Sequence, residues 1–380
     1  VKIGIVCYPT FGGSGVLATE LGKYWAAIGH KVHFITYSQP VRLDILNENI
    51  YYHEVNVHDY PLFQYQPYEL ALSSKMVNVV LKYQLDVLHV HYAIPHAYAA
   101  FMAKQILRDR GHDIPVVTTL HGTDITLVGK NPSYKPAVNF SINHSDAVTS
   151  VSESLRRDTL SLFDINRPIE VIPNFVDLAL YNKPADCPRS FAPNGEAIIT
   201  HISNFRAVKR TSDVVEIFAR IHKAHPSVLL MIGDGPDKER ARARAHALGV
   251  AEQVKFLGKT TEVERILCFT DLFLLPSEKE SFGLAALEAM AARVPVISSD
   301  TGGLPEVNLH GETGYTAPVG DLEGMARYGL EILEAPGRGE AFRQKARQQA
   351  EAHALEKIAP SYLNIYLSLL PNHQTESLSS

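Results

Sequence analysis

The first half of the chain alternates short β-branched runs with longer stretches of helical period. "KIGIVCY" (2–8), "KVHFITY" (31–37), "VLHVHY" (87–92), "PVVTTLHG" (115–122) and "AVTSVS" (147–152) have the apolar, β-branched character of buried strands. Between them, "GVLATELGKYWAAIGH" (15–30) sets apolar residues at 17, 21, 24, 25 and 28, one face of a helix, and 69–84 and 96–110 read the same way. A break follows. "VIPNFVDLALYNKPADCPRSFAPNG" (171–195) holds four prolines and no clear period, and reads as a connection. The alternation then restarts. "AIITHISNF" (197–205), "SVLLMIGDG" (227–235), "QVKFLGK" (253–259), "LFLLPS" (272–277), "VPVISSD" (294–300) and "GYTAP" (314–318) read as strands, with helices over 211–224, 236–248, 261–269, 283–292 and 322–334.

Alternation of this kind predicts parallel sheets wrapped by helices. Two such blocks predict an α/β protein of two Rossmann-like, doubly wound domains facing a cleft, with ligands outside the carboxyl ends of the strands. The expected boundaries are 1–172 for the first domain, 173–195 for a linker and 196–355 for the second. A single last helix, about 338–370, has no strand after it and is expected to pack across both domains, its end (about 356–372) returning to the first. The 380 residues suit two domains.

Composition narrows the partners. A net charge of −5 is wrong for coating nucleic acid or an anionic membrane, so a bound anion must be held locally by backbone amides and a few cations. No apolar run approaches the roughly 20 residues that cross a bilayer, and "VKIGIVCYPTFGG" does not read as a cleavable signal. The three cysteines, Cys7, Cys187 and Cys268, have no metal-ligand spacing and are expected as reduced thiols of a cytoplasmic protein, Cys7 as a small buried side chain. The polar tail "PNHQTESLSS" is expected to fray.

Candidate chemistry sits in the loops after strands. In "PTFGGSGVLA" (9–18), Gly13, Gly15 and Ala18 fit G-x-G-x-x-A, but the second strand ends "FITYSQP" without the acid that would hold an adenine ribose. The loop is therefore read as amides and the Ser14 hydroxyl approaching a phosphate or an acceptor. "SNFRAVKR" (203–210) puts Arg206 and Lys209 after the first strand of the second block, where cations suit a diphosphate leaving group; the alternative is a solvated basic turn. "IGDGP", "FLGKTTEVE" and "TGGLPEV" are strand-to-helix turns that singly carry little. "ESFGLAALE" (280–288) offers Glu280, then the amides of Phe282, Gly283 and Leu284 at a helix start, then Glu288 about 8 Å further along the axis. Carboxylates accept from hydroxyls and amides hold charge, an order that matches a nucleotide sugar; the alternative is a cap and a surface acid. His89, His91 and His96 cluster at a strand end, but a strand in the sheet interior favours buried hydrogen-bonded histidines over a metal site.

Taken together, E-x₇-E at 280–288, the Arg206–Lys209 loop, "IPNFVD" (172–177), "GDGP" (233–236) and "GGLPEV" followed by "GETGY" (302–315) resemble retaining glycosyltransferases of family 4, which have the GT-B fold. The resemblance runs through essentially the whole chain. "CYPTFGGSGV" (7–16), "HVHYAIPHA" (89–97), "TLHGTDIT" (119–126), "HISNFRAVKR" (201–210) and "SEKESFGL" (277–284) are similar to members that move N-acetylglucosamine from UDP-GlcNAc to the hydroxyl of L-malate, the first step of bacillithiol biosynthesis. The resemblance implies that Arg206 and Lys209 stabilise the leaving diphosphate, aided by amides near Gly283 and in the Gly12–Gly15 loop. Glu280 would hold the hexose 3- and 4-hydroxyls, Glu288 the ribose, and His121 the hexose near its 6-hydroxyl. Gly13, Ser14, Gly15, Asn204, Gly233, Gly258, Phe282 and Leu284 complete the donor set, and Ser14, Tyr92 and Thr119 face the acceptor. It further implies no metal, no cofactor, and a homodimer. Two departures from the family pattern leave Arg210 as an alternative to Lys209, and Lys130 or Lys135 as stand-ins for an arginine expected at Asn139. Competing readings are a transferase with another small acceptor such as inositol phosphate, a UDP-GlcNAc epimerase, and a non-catalytic sugar-nucleotide binder.

Overall fold

A computed structural model describes residues 1–10, 13–59, 61–182 and 187–371, with the side chains of residues 336 and 338 left out. Gly12 and most of the polar tail therefore lie outside the described residues. The chain forms two compact units. One runs over Val1–Asn174 and resumes at Leu355; the other is Phe175–Ala354.

The first unit holds β1 (Lys2–Val6), α1 (Ser14–Ala27), β2 (Lys31–Thr36), β3 (Ile50–Glu54), α2 (Tyr68–Tyr83), β4 (Val87–His91), α3 (Tyr98–Arg108), β5 (Val116–Leu120), α4 (Lys135–Asn143), β6 (Ala147–Ser150), α5 (Glu153–Leu162) and β7 (Glu170–Val171). All seven strands are parallel, in the order β3-β2-β1-β4-β5-β6-β7. The predicted strands and helices are present. β3, α4, α5 and β7 are additions, as are the π turns Ala93–Ala97 and Thr123–Leu127 that follow β4 and β5.

The second unit holds β8 (Ala197–Ile202), α6 (Thr211–Ala224), β9 (Ser227–Ile232), α7 (Lys238–Ala247), β10 (Val254–Gly258), α8 (Val263–Leu267), β11 (Leu272–Leu275), α9 (Leu284–Ala291), β12 (Val296–Ser299), α10 (Leu304–Val307), β13 (Gly314–Ala317), α11 (Leu322–Glu334) and α12 (Pro336–Ala352). Its sheet runs β10-β9-β8-β11-β12-β13. Both sheets thus reverse direction once, between β1 and β4 and between β8 and β11. That reversal is the topological switch point at which doubly wound sheets bind ligands. The helices cover the sheets by amphipathic spacing: Val214, Val215, Ile217, Phe218 and Ile221 of α6 are buried against Leu229, Leu272 and Met325.

Three expectations are corrected. The last helix is two. α12 ends at Ala352 in the second unit, and α13 (Leu355–Leu369) belongs to the first, with Trp25 and Tyr366 ring centroids 6.2 Å apart. The break falls where the Val176 N–H donates to the His353 carbonyl (3.0 Å) and Ala354 pairs with Val176 as a β-bridge. Of the stretch read as a connection, residues 175–182 and 187–195 belong to the second unit. Finally, Cys187 and Cys268 are joined as a disulfide, their Cα atoms 5.9 Å apart, because the fold closes an 81-residue interval that spacing cannot reveal. Cys7 is a buried free thiol, and burial pushes its pKa up to about 12.

Candidate active site

In the second unit the strand-end loops on either side of the switch point are fastened to each other. The Glu278 N–H donates to the Val208 carbonyl (2.8 Å), tying the loop after β11 to the loop after β8. Asp237 N–H donates to the Phe205 carbonyl (2.9 Å) and Gly233 N–H to the Gly258 carbonyl (2.8 Å), which draws in the turns after β9 and β10. Asn204, Arg206, Lys209, Gly233, Gly258 and Glu280 are thereby assembled at one end of one sheet. The Lys209 ammonium donates to Glu280 Oε1 (2.5 Å), and the Ser277 hydroxyl donates to the same oxygen (3.0 Å). Arg210 pairs with Asp213 at 2.6 Å, so Lys209 is the cation of this loop that meets Glu280. The Arg206 side chain is exposed and makes no hydrogen bond or ion pair with a described residue.

The loop stands on a buried histidine. His201 is held neutral by burial, its pKa pulled down to about 4. Its Nδ1–H donates to the Leu274 carbonyl (2.8 Å), which leaves Nε2 to accept from the Ser203 hydroxyl (2.8 Å). Ser203 Oγ accepts in turn from the Phe205 N–H (3.3 Å). Phe205 has φ +41°, a left-handed backbone that a non-glycine residue keeps only when its surroundings hold it, and the next residue is Arg206. After β11, Gly283 caps α9 and leaves the first amides of that helix without intrahelical acceptors. Phe282 is buried. Glu288 is half-buried on α9.

The switch point of the first unit is built from aromatic and histidine side chains. Gly13, Ser14 and Gly15 open α1, and Ser14 Oγ hydrogen-bonds with the Tyr92 hydroxyl at 2.6 Å. Tyr92 follows β4 with φ +85°, a second strained non-glycine residue at a switch strand's end. Its ring lies 5.3 Å from Tyr8 and 5.0 Å from His121, centroid to centroid. His121 Nε2 hydrogen-bonds with His91 Nδ1 at 2.8 Å. Thr119 does not face this group. It is fully buried, and its hydroxyl is committed to His89 Nε2 and Thr149 Oγ1, both at 2.7 Å, which removes it from the acceptor set. His89 and His91 do share a strand face, their rings stacked 4.5 Å apart. Among the described residues no cluster of histidine, cysteine, aspartate or glutamate could hold a metal ion.

Comparison with known proteins gives this geometry a family. Residues 11–180 match the model of Glycosyltransferase Family 4, and residues 182–349 match Glycosyl transferases group 1. The N-acetyl-alpha-D-glucosaminyl L-malate synthase of Bacillus anthracis is 46% identical over 374 residues, 97% of each chain. The chain belongs to glycosyltransferase family 4. The transferase has the GT-B fold: an Anabaena HepE structure with UDP and glucose superposes with a TM-score of 0.80 at 19% identity, covering 97% of this chain and 100% of that one. A sucrose-phosphate synthase from Thermosynechococcus elongatus likewise gives 0.80 at 20% identity, over 97% and 98% of the two chains.

Two groups in the transferase carry no role in the sequence reading. Ser277 lies inside a quoted motif, but its bond to Glu280 is visible only once the loop is folded. Asp124, buried, accepts from the N–H groups of Ala93 (2.8 Å), Gly122 (3.0 Å) and His121 (3.4 Å), clamping the turns after β4 and β5. Burial raises its pKa to about 6 despite those amides. At the family departure, Asn139 Oδ1 accepts from the Asp164 N–H at 3.1 Å, and Lys135 lies over the Phe163 ring.

The first unit's histidines predict acid sensitivity. Burial pulls His33, His53 and His96 to about 4 and His89 and His121 to about 3. Unfolded, these groups titrate near 6.5. Between their folded and unfolded pKa values the unfolded chain binds more protons, so stability is lost as pH falls below about 6.5. Asp124, with a raised pKa, works in the opposite sense between about 4 and 6, but a single carboxyl is outweighed by the five imidazoles. The thermal midpoint of this unit is expected to drop by about 5 °C or more between pH 7 and pH 5, checked by calorimetry in buffers of equal ionic strength.

Proposed function

We propose that the transferase moves N-acetylglucosamine from UDP-GlcNAc to the hydroxyl of L-malate with retention at the anomeric carbon, the first step of bacillithiol biosynthesis, as a cytoplasmic homodimer. The full-length identity to the Bacillus anthracis synthase supports the substrates. The observation that carries the chemistry is the Lys209–Glu280–Ser277 group beside the exposed Arg206, at the switch point of the second sheet. Arg206 and Lys209 take the diphosphate, with the amides near Gly283 and of the Gly13–Gly15 turn assisting. Glu280 accepts from the hexose hydroxyls, Glu288 from the ribose, and His121 meets the hexose near its 6-hydroxyl. Ser14 and Tyr92 serve the acceptor.

Lys209 and Ser277 both donate to Glu280 Oε1, so that oxygen is engaged, and the proposed roles leave no carboxylate as a covalent nucleophile. Retention then follows an internal return. The bond from C1 to the phosphate oxygen breaks, the acceptor hydroxyl attacks C1 from the same face, and its proton passes to the departing β-phosphate. Charge stabilisation and positioning supply the rate.

The test is a product assay with UDP-GlcNAc against L-malate, D-malate, inositol phosphate and glucose, with and without EDTA. An α-linked product with L-malate, undiminished by EDTA, is expected. UDP release or epimerised donor without any acceptor, product with inositol phosphate in preference, or activity that magnesium must restore would each refute the reading.

A further inference from the structure

The family roles give Lys209 to the diphosphate and Glu280 to the sugar, yet the two side chains hold each other. Lys209 Nζ and Glu280 Oε1 are 2.5 Å apart, in side chains only 20% and 12% exposed, where solvent screens weakly. The carboxylate cannot easily swing away. Ser277, itself fully buried, donates to the same oxygen at 3.0 Å. The Ser277 carbonyl is gripped by the Ser299 hydroxyl, and the Glu280 carbonyl accepts from the Gly303 N–H at 3.0 Å. The neighbouring cation is compensated too: Arg210 is paired with Asp213 at 2.6 Å and lies 4.0 Å from Glu278. Of the three cations in the loop, Arg206 alone has no carboxylate against it.

We propose that Glu280, fixed by Ser277, is a standing counter-charge to Lys209 that lowers the site's affinity for a nucleoside diphosphate lacking its sugar. This rests on the reading that the 206–209 loop binds diphosphate. When a hexose is present, its hydroxyls donate to Glu280 and draw carboxylate charge away from Lys209, so the cation is released to the phosphates. When the hexose has left, the full Glu280 charge bears on Lys209 again and the nucleoside diphosphate faces a compensated cation. The pair thereby discriminates between donor and spent product, and Ser277 acts as a positioning residue for it.

The decisive measurement is UDP affinity by titration calorimetry in the full-length protein. Glu280→Gln keeps the shape and removes the charge. It is expected to bind UDP about three- to tenfold more tightly while turning over more slowly, with the gain shrinking as salt is raised. Ser277→Ala is expected to shift UDP affinity in the same direction by a smaller factor, with the same salt dependence, which a merely structural loss would not produce. Unchanged or weaker UDP binding in both variants, with thermal midpoints near that of the parent, would overturn the proposal. A parent protein that does not bind UDP would overturn the diphosphate reading and this proposal with it, and is distinguishable because no variant is needed to see it.

Discussion

Lys209→Ala is expected to lower kcat about 10²–10³-fold, the scale of removing one preorganised group that meets charge developing in a transition state. The reacting bond separates a hexosyl cation-like centre from a diphosphate whose negative charge grows as the bond breaks. A cation already in place stabilises the later state more than the earlier one, and only such differential stabilisation raises kcat. The variant has a second consequence. Glu280 would lose the ammonium 2.5 Å from it and present an uncompensated carboxylate to the phosphates. Arg206→Ala serves as comparison, because its guanidinium has no described partner to leave behind. Steady-state kinetics on both, with UDP affinity measured separately, decide the matter. If Lys209→Ala kept its turnover and weakened only UDP binding, the residue would be a ground-state binder and the assigned role would fail.

Much of this architecture is legible in the chain because buried parallel strands are written as continuous β-branched runs. All five strands anticipated in the first unit and all six in the second are present. The elements that escape notice are those with little apolar surface. β3, "IYYHE", is an edge strand with only Ile50 buried. In α5, "ESLRRDTLSL", just Leu155 and Thr159 are buried, and the helix is marked chiefly by its cap, the Ser152 hydroxyl accepting from the Leu155 N–H. No glycine or proline marks the break between α12 and α13; it coincides with the isolated bridge of Ala354 to Val176, from far along the chain. The site divides in the same way. Loops that follow switch-point strands can be picked out from glycines, cations and acids. The partnership of Lys209 with Glu280, 71 residues apart, cannot, nor can the burial of Thr119 beneath His89 and Thr149, since both depend on which loops and strands the fold makes neighbours.

The same dependence on neighbouring loops makes a small substitution costly. Gly302→Ala is expected to destabilise the second unit by about 2–4 kcal/mol and lower its thermal midpoint by roughly 5–15 °C. Gly302 has φ +58°, and a Cβ built on it would lie 1.9 Å from the Glu280 carbonyl oxygen and 3.0 Å from its carbon. The obstacle is backbone, so no rotamer change relieves it. The next residue adds to the constraint, because a Cβ on Gly303 would meet the Ser281 carbonyl oxygen at 2.4 Å. The "TGG" turn is thus the floor on which the Glu280 loop rests, and the alanine must push that loop away. Gly311→Ala isolates the conformational part of the effect: φ is +79° there, but nothing lies within 4 Å of a new Cβ, so about 1–2 kcal/mol is expected. The excess at Gly302 is the collision. Because the displaced backbone carries the Glu280 carboxylate out of reach of Lys209 and Ser277, Gly302→Ala should also lose at least tenfold in kcat at a temperature where it is fully folded, while Gly311→Ala should lose little. Equal loss of stability and activity in the two variants would show that the turn does not support the site.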